Sequence, residues 1–458
     1  MTRQLVGFLA ELAPSDLPDE IFDRARYLML DYLGVAIRGS RSESSAPVYK
    51  MIQRVGASGC STIIGTGVRT LPGLAALANG TAAHAIELDD THNAGSIHLG
   101  VVMFSTAFAL AESLSDVPAD RFFTAVVAGY ETAARIAMAV QPREHYLLGF
   151  HPTATCGVFG AAVTASKLLR LTAEQMLSAV GIAGSMVAGS LEFLAEGAWT
   201  KRLHPGLAAQ NGIQAAMLAA EGFRGPGTIL EGRDGFLNAY SKKPLPELLT
   251  RDLGASFEIL RTSVKPHACC RYMQGPIDAI LALVREHDIQ PDEVQRIEVA
   301  VLEAGWPLVV EPQGQKYKPQ SVVEAQFSMP FGAAVAVMHR AAGIDQFTEQ
   351  NARSSSLRRL MGKVVMTKDV RIEKNFPDEW PARVTIELTG GRSHEKLITH
   401  PKGDPQNPLT WDELIDKFKS LVAHASAGEL VAQASTCEWP AKLPALCVAP
   451  PDPTLALK

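Results

Sequence analysis

Cysteine is scarce in this chain: six in 458 residues, with Cys269 adjacent to Cys270 and no CxxC pair anywhere. That argues against a disulfide framework and for free thiols in a reducing compartment. No HExxH or HxH spacing occurs, which removes the commonest signatures of catalytic zinc. Long apolar runs are missing too. The longest bland stretch, SAVGIAGSMVAGSL at 178–191, is too short and too rich in Gly and Ser to span a bilayer, and Glu192 closes it. The opening MTRQLVGFLAELAPSDLPDE carries acids early and no long apolar core, so it does not read as a secretory signal. There is no excess of positive charge. With a net charge of -5, neither nucleic acid nor an anionic membrane surface is expected as a partner, and any anion site must gather its cations locally.

What remains is a chain of ordinary globular composition, long enough for two or three domains. Its first half reads as helix after helix. Over 21–38, Ile21, Ala25, Leu28, Tyr32 and Val35 recur at three- and four-residue steps, with Ser15, Asp16 and Pro18 as a capping region. Stretches 101–113, 121–139, 153–169, 173–194 and 206–221 also read as helices. Several are loaded with Ala, Gly and Ser, so they are expected to pack closely against one another at the centre of a bundle. The pattern changes after about residue 258. VQRIEVAV at 294–301 alternates like a strand, 364–373 is spaced with β-branched residues, and 381–388 with 394–400 reads as a hairpin turning at Thr389-Gly390-Gly391. A helix is expected at 322–342 and another at 411–425, and the proline-bearing end at 441–453 reads as a tail. The expected fold is mostly α: a helical domain from 1–257 and 400–458, with a smaller α+β domain inserted at 258–399.

Four segments carry candidate chemistry. Glu87-Leu88-Asp89-Asp90-Thr91-His92, flanked by His84 and His98, is a dense polar cluster among apolar neighbours. It admits three readings: a divalent-metal site, a metal-free acid/base site, or a cap for the helix starting near residue 100. Phe150-His151-Pro152-Thr153 places an imidazole at a helix start, where backbone N–H groups favour an anion and disfavour imidazolium; its bland reading is a satisfied loop histidine. Thr200-Lys201-Arg202-Leu203-His204 sets two cations and a histidine between two small-residue helices, either as solvated loop charge or as a carboxylate-binding group. The fourth segment, 263–274, contains Lys265, Arg271, Tyr272 and Gln274 at the expected domain junction. There Lys265 and Arg271 either grip a carboxylate or are plain surface cations. Cys269 and Cys270 read as buried thiols, because no activating context surrounds them.

In this order the segments resemble the MmgE/PrpD family: GTAAHAIELDDTH near 80–98, GFHPTATCGVFGAA near 149–162, WTKRLHPGLAAQNG near 199–212 and VKPHACCRY near 264–272, with EAQFSMPF and GDPQNPLTWDEL further on. The likeness covers nearly the whole chain. It implies a large all-helical domain closed by a smaller inserted α+β lid, a homodimer in the cytoplasm, no metal and no organic cofactor. It also implies a lyase, a dehydratase or decarboxylase, acting on a small di- or tricarboxylic acid.

Carried over position by position, the family's active-site motif falls on Glu87, where an Asp is more usual, and on Thr91, His98, His151 and Lys201. Two positions depart from it: Gln274 stands where decarboxylase-like members have His, and Phe331 where they have Tyr. Those departures weigh toward dehydration, or toward an epimerase that moves a proton without elimination; a non-catalytic carboxylate binder is the third alternative. The expected mechanism makes Lys201, aided by His98, the stabiliser of an enolate-like charge. His151 or His98 serves as base or acid, Asp90 orients a histidine, and Thr91 hydrogen-bonds substrate oxygen. Glu87, Lys265, Arg271, Tyr272 and Gln274 are expected to bind the polycarboxylate.

Overall fold

The computed structural model describes residues 1–114, 116–422, 427–436 and 440–447. These are mostly helical, and the chain divides into two compact units. The larger comprises Met1–Glu192, Trp199–Thr262 and Thr410–Lys458, the smaller Phe193–Ala198 and Ser263–Leu409. Among the described residues no helix is long and apolar enough to cross a membrane.

The larger unit is built around helices with almost no polar face. Gly100–Ser113 and Gly157–Leu168 are buried along nearly their whole length, and Pro72–Ala83 from Ala75 onward. A helix apolar all round must sit inside a bundle. Against these packs Thr200–Ala220. Small residues make that crossing possible: a Cβ on Gly80 would lie 2.8 Å from the Gly206 Cα, and one on Gly206 would strike the Leu77 carbonyl. Neither obstacle can swing away, because both are backbone. Gly206→Ala is therefore expected to cost about 1–3 kcal/mol, the usual penalty of overpacking, and to lower the melting temperature. An unchanged melting temperature would mean that the two helices are not held at this spacing. The helix Asp19–Gly39, partly exposed in its first turns and buried from Tyr27 to Ile37, follows the dipole rule, with Asp19 and Glu20 in its first turn and Arg38 in its last.

The smaller unit carries a four-stranded sheet. Val364–Thr367 runs parallel to Val294–Ala300, which pairs antiparallel with Ala382–Leu388, and that strand forms a hairpin with Ser393–Ile398. Ala382–Leu388 alternates buried and half-buried side chains, as a strand with one covered face should. Gly390 and Gly391 turn the hairpin at φ 93° and 83°, a region closed to most side chains. The helix Gln274–Glu286 packs on the two hairpin strands.

Several expected helices are interrupted. The one at 153–169 is broken between Pro152–Thr155 and Gly157–Leu168. The one at 173–194 ends at Ala183, after which Ser190 bridges back to Phe150. The one at 322–342 is split into Val322–Gln326 and Met329–His339, because the Ser328 hydroxyl accepts from the Phe331 N–H and starts a new helix there. After Thr367 the expected strand gives way to the short helix Val370–Glu373, which Asp369 caps. Conversely, the helix expected at 206–221 begins at Thr200, so Lys201, Arg202 and His204 belong to a helix rather than to a connecting loop. Trp411–Leu421 forms with a capping box from Thr410 and Glu413. Positions 423–425 of that expected helix, and positions 448–453 of the expected tail, lie outside the described residues.

Candidate active site

Within the larger unit, Pro72–Ala83 ends at His84, and the chain then turns through Ile86 to Thr91. Glu87 takes φ 55°, a left-handed conformation rare outside glycine. This turn aims a run of polar side chains into an apolar interior: His84, Glu87, Asp89, Asp90, Thr91 and His92 are all buried. An antiparallel bridge between His92 and Ile97 folds the next residues back and delivers His98 beside them.

The two neighbouring aspartates do different work. The Asp89 carboxylate faces imidazoles, with its Oδ2 at 2.8 Å from His84 Nδ1 and 3.1 Å from His98 Nδ1. Asp90 faces the helix instead: its carboxylate accepts from the Gly100 N–H at 2.9 and 3.1 Å and from the Tyr130 hydroxyl at 2.7 Å. Burial pushes the Asp90 carboxyl up to about 7. The capping reading thus describes Asp90. Among the described residues its hydrogen bond to a histidine runs through its backbone carbonyl, 2.8 Å from His98 Nδ1, whereas the Asp89 carboxylate itself bonds two imidazoles and is the one placed to orient them. The Thr91 hydroxyl lies 3.3 Å from the same ring nitrogen.

His151 caps the short helix Pro152–Thr155, and its N–H donates to the Gly189 carbonyl at 3.0 Å. The Thr153 hydroxyl on that helix accepts from the His98 N–H at 3.1 Å, which ties the second segment to the first. His151 Nδ1 meets His204 Nδ1 at 3.0 Å. His204 lies one turn beyond Lys201, on the same helix face. Lys201 is buried and donates from its ammonium to the Glu87 carboxylate. Two cations in the first turn of Thr200–Ala220 oppose the helix dipole, and Pro205 removes the amide that would bond the Lys201 carbonyl. Buried opposite charge from Glu87 offsets that local misfit.

Four imidazoles therefore gather next to one ammonium–carboxylate pair. The ring centroids are 4.7 Å apart for His84 and His98, 5.9 Å for His84 and His151, and 6.4 Å for His98 and His151. Desolvation, reinforced by the Lys201 charge, holds His151 well below the usual imidazole range and lowers His84 as well; His204 falls to about 3. At neutral pH these three are uncharged bases.

Two buried supports lie behind the turn. His92 Nε2 is 2.9 Å from the Glu258 carboxylate, and the Glu258 N–H donates to Glu131, which pairs with Arg135. Lys417, from Trp411–Leu421, donates to Asp31 at 2.5 Å and to the Leu88 carbonyl at 2.8 Å.

Of the residues expected at the site, Glu87, Asp90, Thr91, His98, His151 and Lys201 lie together in the larger unit. Lys265, Arg271, Tyr272 and Gln274 lie in the smaller one. Lys265 is buried. The Arg271 guanidinium already holds the Asp404 carboxylate, which also accepts from the Ser263 hydroxyl. Tyr272 stacks on Trp380. The Gln274 carboxamide is engaged by its own loop, accepting from the His267 N–H and donating to the His267 and Cys269 carbonyls. Sequence reasoning placed His84, Asp89 and His204 in the candidate segments but gave none of them a part in the expected mechanism. The spacing held a signal for one of them, since Lys201 and His204 stand three apart on a helix.

The chain is similar to known proteins along most of its length. The MmgE/PrpD N-terminal domain matches residues 3–249, and the MmgE/PrpD C-terminal domain matches residues 267–437. The cis-aconitate decarboxylase-like protein oryM of Aspergillus oryzae is 30% identical over 448 residues, spanning 92% of this chain and 90% of that protein. A cis-aconitate decarboxylase of Aspergillus terreus is 26% identical over 92% of this chain and 89% of its own length. That of Mus musculus is 27% identical, over 92% and 86%.

Proposed function

The chain belongs to the MmgE/PrpD family and is a lyase of that type, and from this premise we propose that it acts without a cofactor on a small tricarboxylic acid, cis-aconitate being the first candidate. One observation carries the reading: a buried ammonium and a group of imidazoles, far apart in sequence, lie within one cluster of the larger unit. Removing a proton or CO2 from carbon next to a carboxylate leaves an electron pair that delocalises onto that carboxylate. Lys201 stabilises this enolate-like charge in a site with little water. His98 or His151 takes the proton, or returns one to carbon after CO2 has left. Asp89 holds His98 with its Nδ1 proton inward, and Thr91 hydrogen-bonds a substrate oxygen. Asp90 keeps the turn on the helix start at Gly100.

In the same proposal the smaller unit serves as an α+β lid, with Lys265 gripping a remote carboxylate. Arg271 is the weaker candidate for that grip, because Asp404 already occupies it. Homodimerisation and a cytoplasmic location complete the proposal; light scattering and cell fractionation test them.

A second reading, epimerisation, is favoured by the smaller unit. Gln274 is committed to backbone groups, and Phe331 is a buried phenyl ring, so neither supplies a proton. Incubation with di- and tricarboxylic acids in D2O separates the reactions. Release of CO2 from cis-aconitate is expected. A rising alkene absorbance without CO2 would make the enzyme a dehydratase, and deuterium uptake with neither would make it an epimerase. Silence with every acid would refute the proposal.

A further inference from the structure

We propose that His84, His98 and His151 form a binding site for one divalent transition-metal ion, of the zinc or cobalt class, and that occupation of this site stops turnover. The binding half stands on geometry alone; the inhibitory half rests on the lyase reading above.

One nitrogen from each of the three buried rings lies within 4.8 Å of the others. The hydrogen bonds behind the rings set their tautomers. His84 Nδ1 faces Asp89 Oδ2, and His98 Nδ1 faces the Asp90 carbonyl and Asp89. These oxygens only accept, so each Nδ1 carries the hydrogen and each Nε2 keeps its lone pair. His84 Nε2 is buried and has no hydrogen-bond partner among the described residues. His151 Nδ1 meets another imidazole nitrogen, that of His204, and a hydrogen placed on His151 Nδ1 leaves the lone pair on its Nε2 as well.

A carboxylate or carbonyl behind the ring, as His84 and His98 have, is how metal-ligating histidines are oriented. At zinc–nitrogen bonds of about 2.0–2.1 Å, tetrahedral ligand atoms stand roughly 3.4 Å apart, so from 4.8 Å the rings need to close by up to about 1.4 Å. The Asp89 carboxylate, which reaches two of the three rings, places negative charge beside the ion. Two of the three ligands, His98 and His151, are the proposed acid and base, so a bound ion removes the lone pairs that turnover needs. Metal and proton transfer compete for the same nitrogens.

The test uses chelator-treated full-length protein in a Cys60→Ser background, because Cys60 is an exposed thiol. Co2+ is titrated without substrate, reading the visible d–d absorption and the equivalents bound, and Zn2+ is added in a parallel thermal melt. One equivalent with a d–d band and a Zn2+-dependent rise in melting temperature are expected. His84→Asn should weaken binding by more than about 100-fold, since loss of even an outer partner of a ligand costs about 10–100-fold. His151→Gln should do the same, and serves if the first variant fails to fold. Absence of a band in the parent protein overturns the proposal. So does binding that survives in both variants, which would place the ion on thiols or surface carboxylates. Tight binding by a protein that turns over no acid would leave this site standing and remove the lyase reading; inhibition constants that follow the Co2+ affinities would support both.

Discussion

Lys201→Ala is expected to lower kcat by at least about 100- to 1000-fold, the cost of removing one preorganised donor from a developing anion. The same change should also destabilise the protein. Lys201 and Glu87 are a buried pair, and removing one partner of such a pair costs about 3–5 kcal/mol because the other charge is left uncompensated. The two effects can be separated. In the double variant Glu87→Gln with Lys201→Met the stranded charge is gone, so most of the melting temperature should return. Activity should not, because no cation then faces the substrate. Recovery of turnover together with stability would show that Lys201 matters only as a partner for Glu87.

Asp89→Asn should lower kcat by about 100- to 10,000-fold, the range that general acid–base catalysis contributes, with KM changed much less. One carboxylate oxygen accepts from the Nδ1 atoms of both His84 and His98. A carboxamide oxygen in that place carries no charge, so it accepts more weakly from both rings and stabilises a protonated ring less. Asp90→Asn makes the control. Its carboxylate serves Gly100 and Tyr130, so that variant should lose stability more than rate. Equal losses of rate in the two variants would deny Asp89 its role in holding the histidines.

The contrast between these aspartates shows where the sequence is readable and where it is not. The pattern Glu87 to His98 marks a polar turn in apolar surroundings, and its density alone singles it out. Which acid turns inward cannot be read from residues adjacent in sequence. That choice depends on the direction of the chain after Glu87, whose left-handed backbone is not encoded by a glycine. The same limit applies to Thr200–Ala220. An internal Pro205 argues for a helix that starts after it, yet the helix begins earlier, because Glu87 and the tight contact with Pro72–Ala83 offset both the missing amide and the adverse dipole. Periodicity found the long helices and the hairpin because burial on one face dictates them. It missed the breaks at 156 and 327–328, where a cap or a short turn outweighs an apolar run. For Arg271 the sequence shows a cation beside a candidate site, but its carboxylate partner, Asp404, stands 133 residues away.

The most direct measurement is a crystal structure with a bound, unreactive tricarboxylate. One carboxylate is expected within hydrogen-bonding distance of the Lys201 ammonium, with the adjacent carbon facing His98 or His151 at a proton-transfer distance. A ligand seated away from these side chains, with Lys201 engaged by Glu87 alone, would contradict the proposed chemistry.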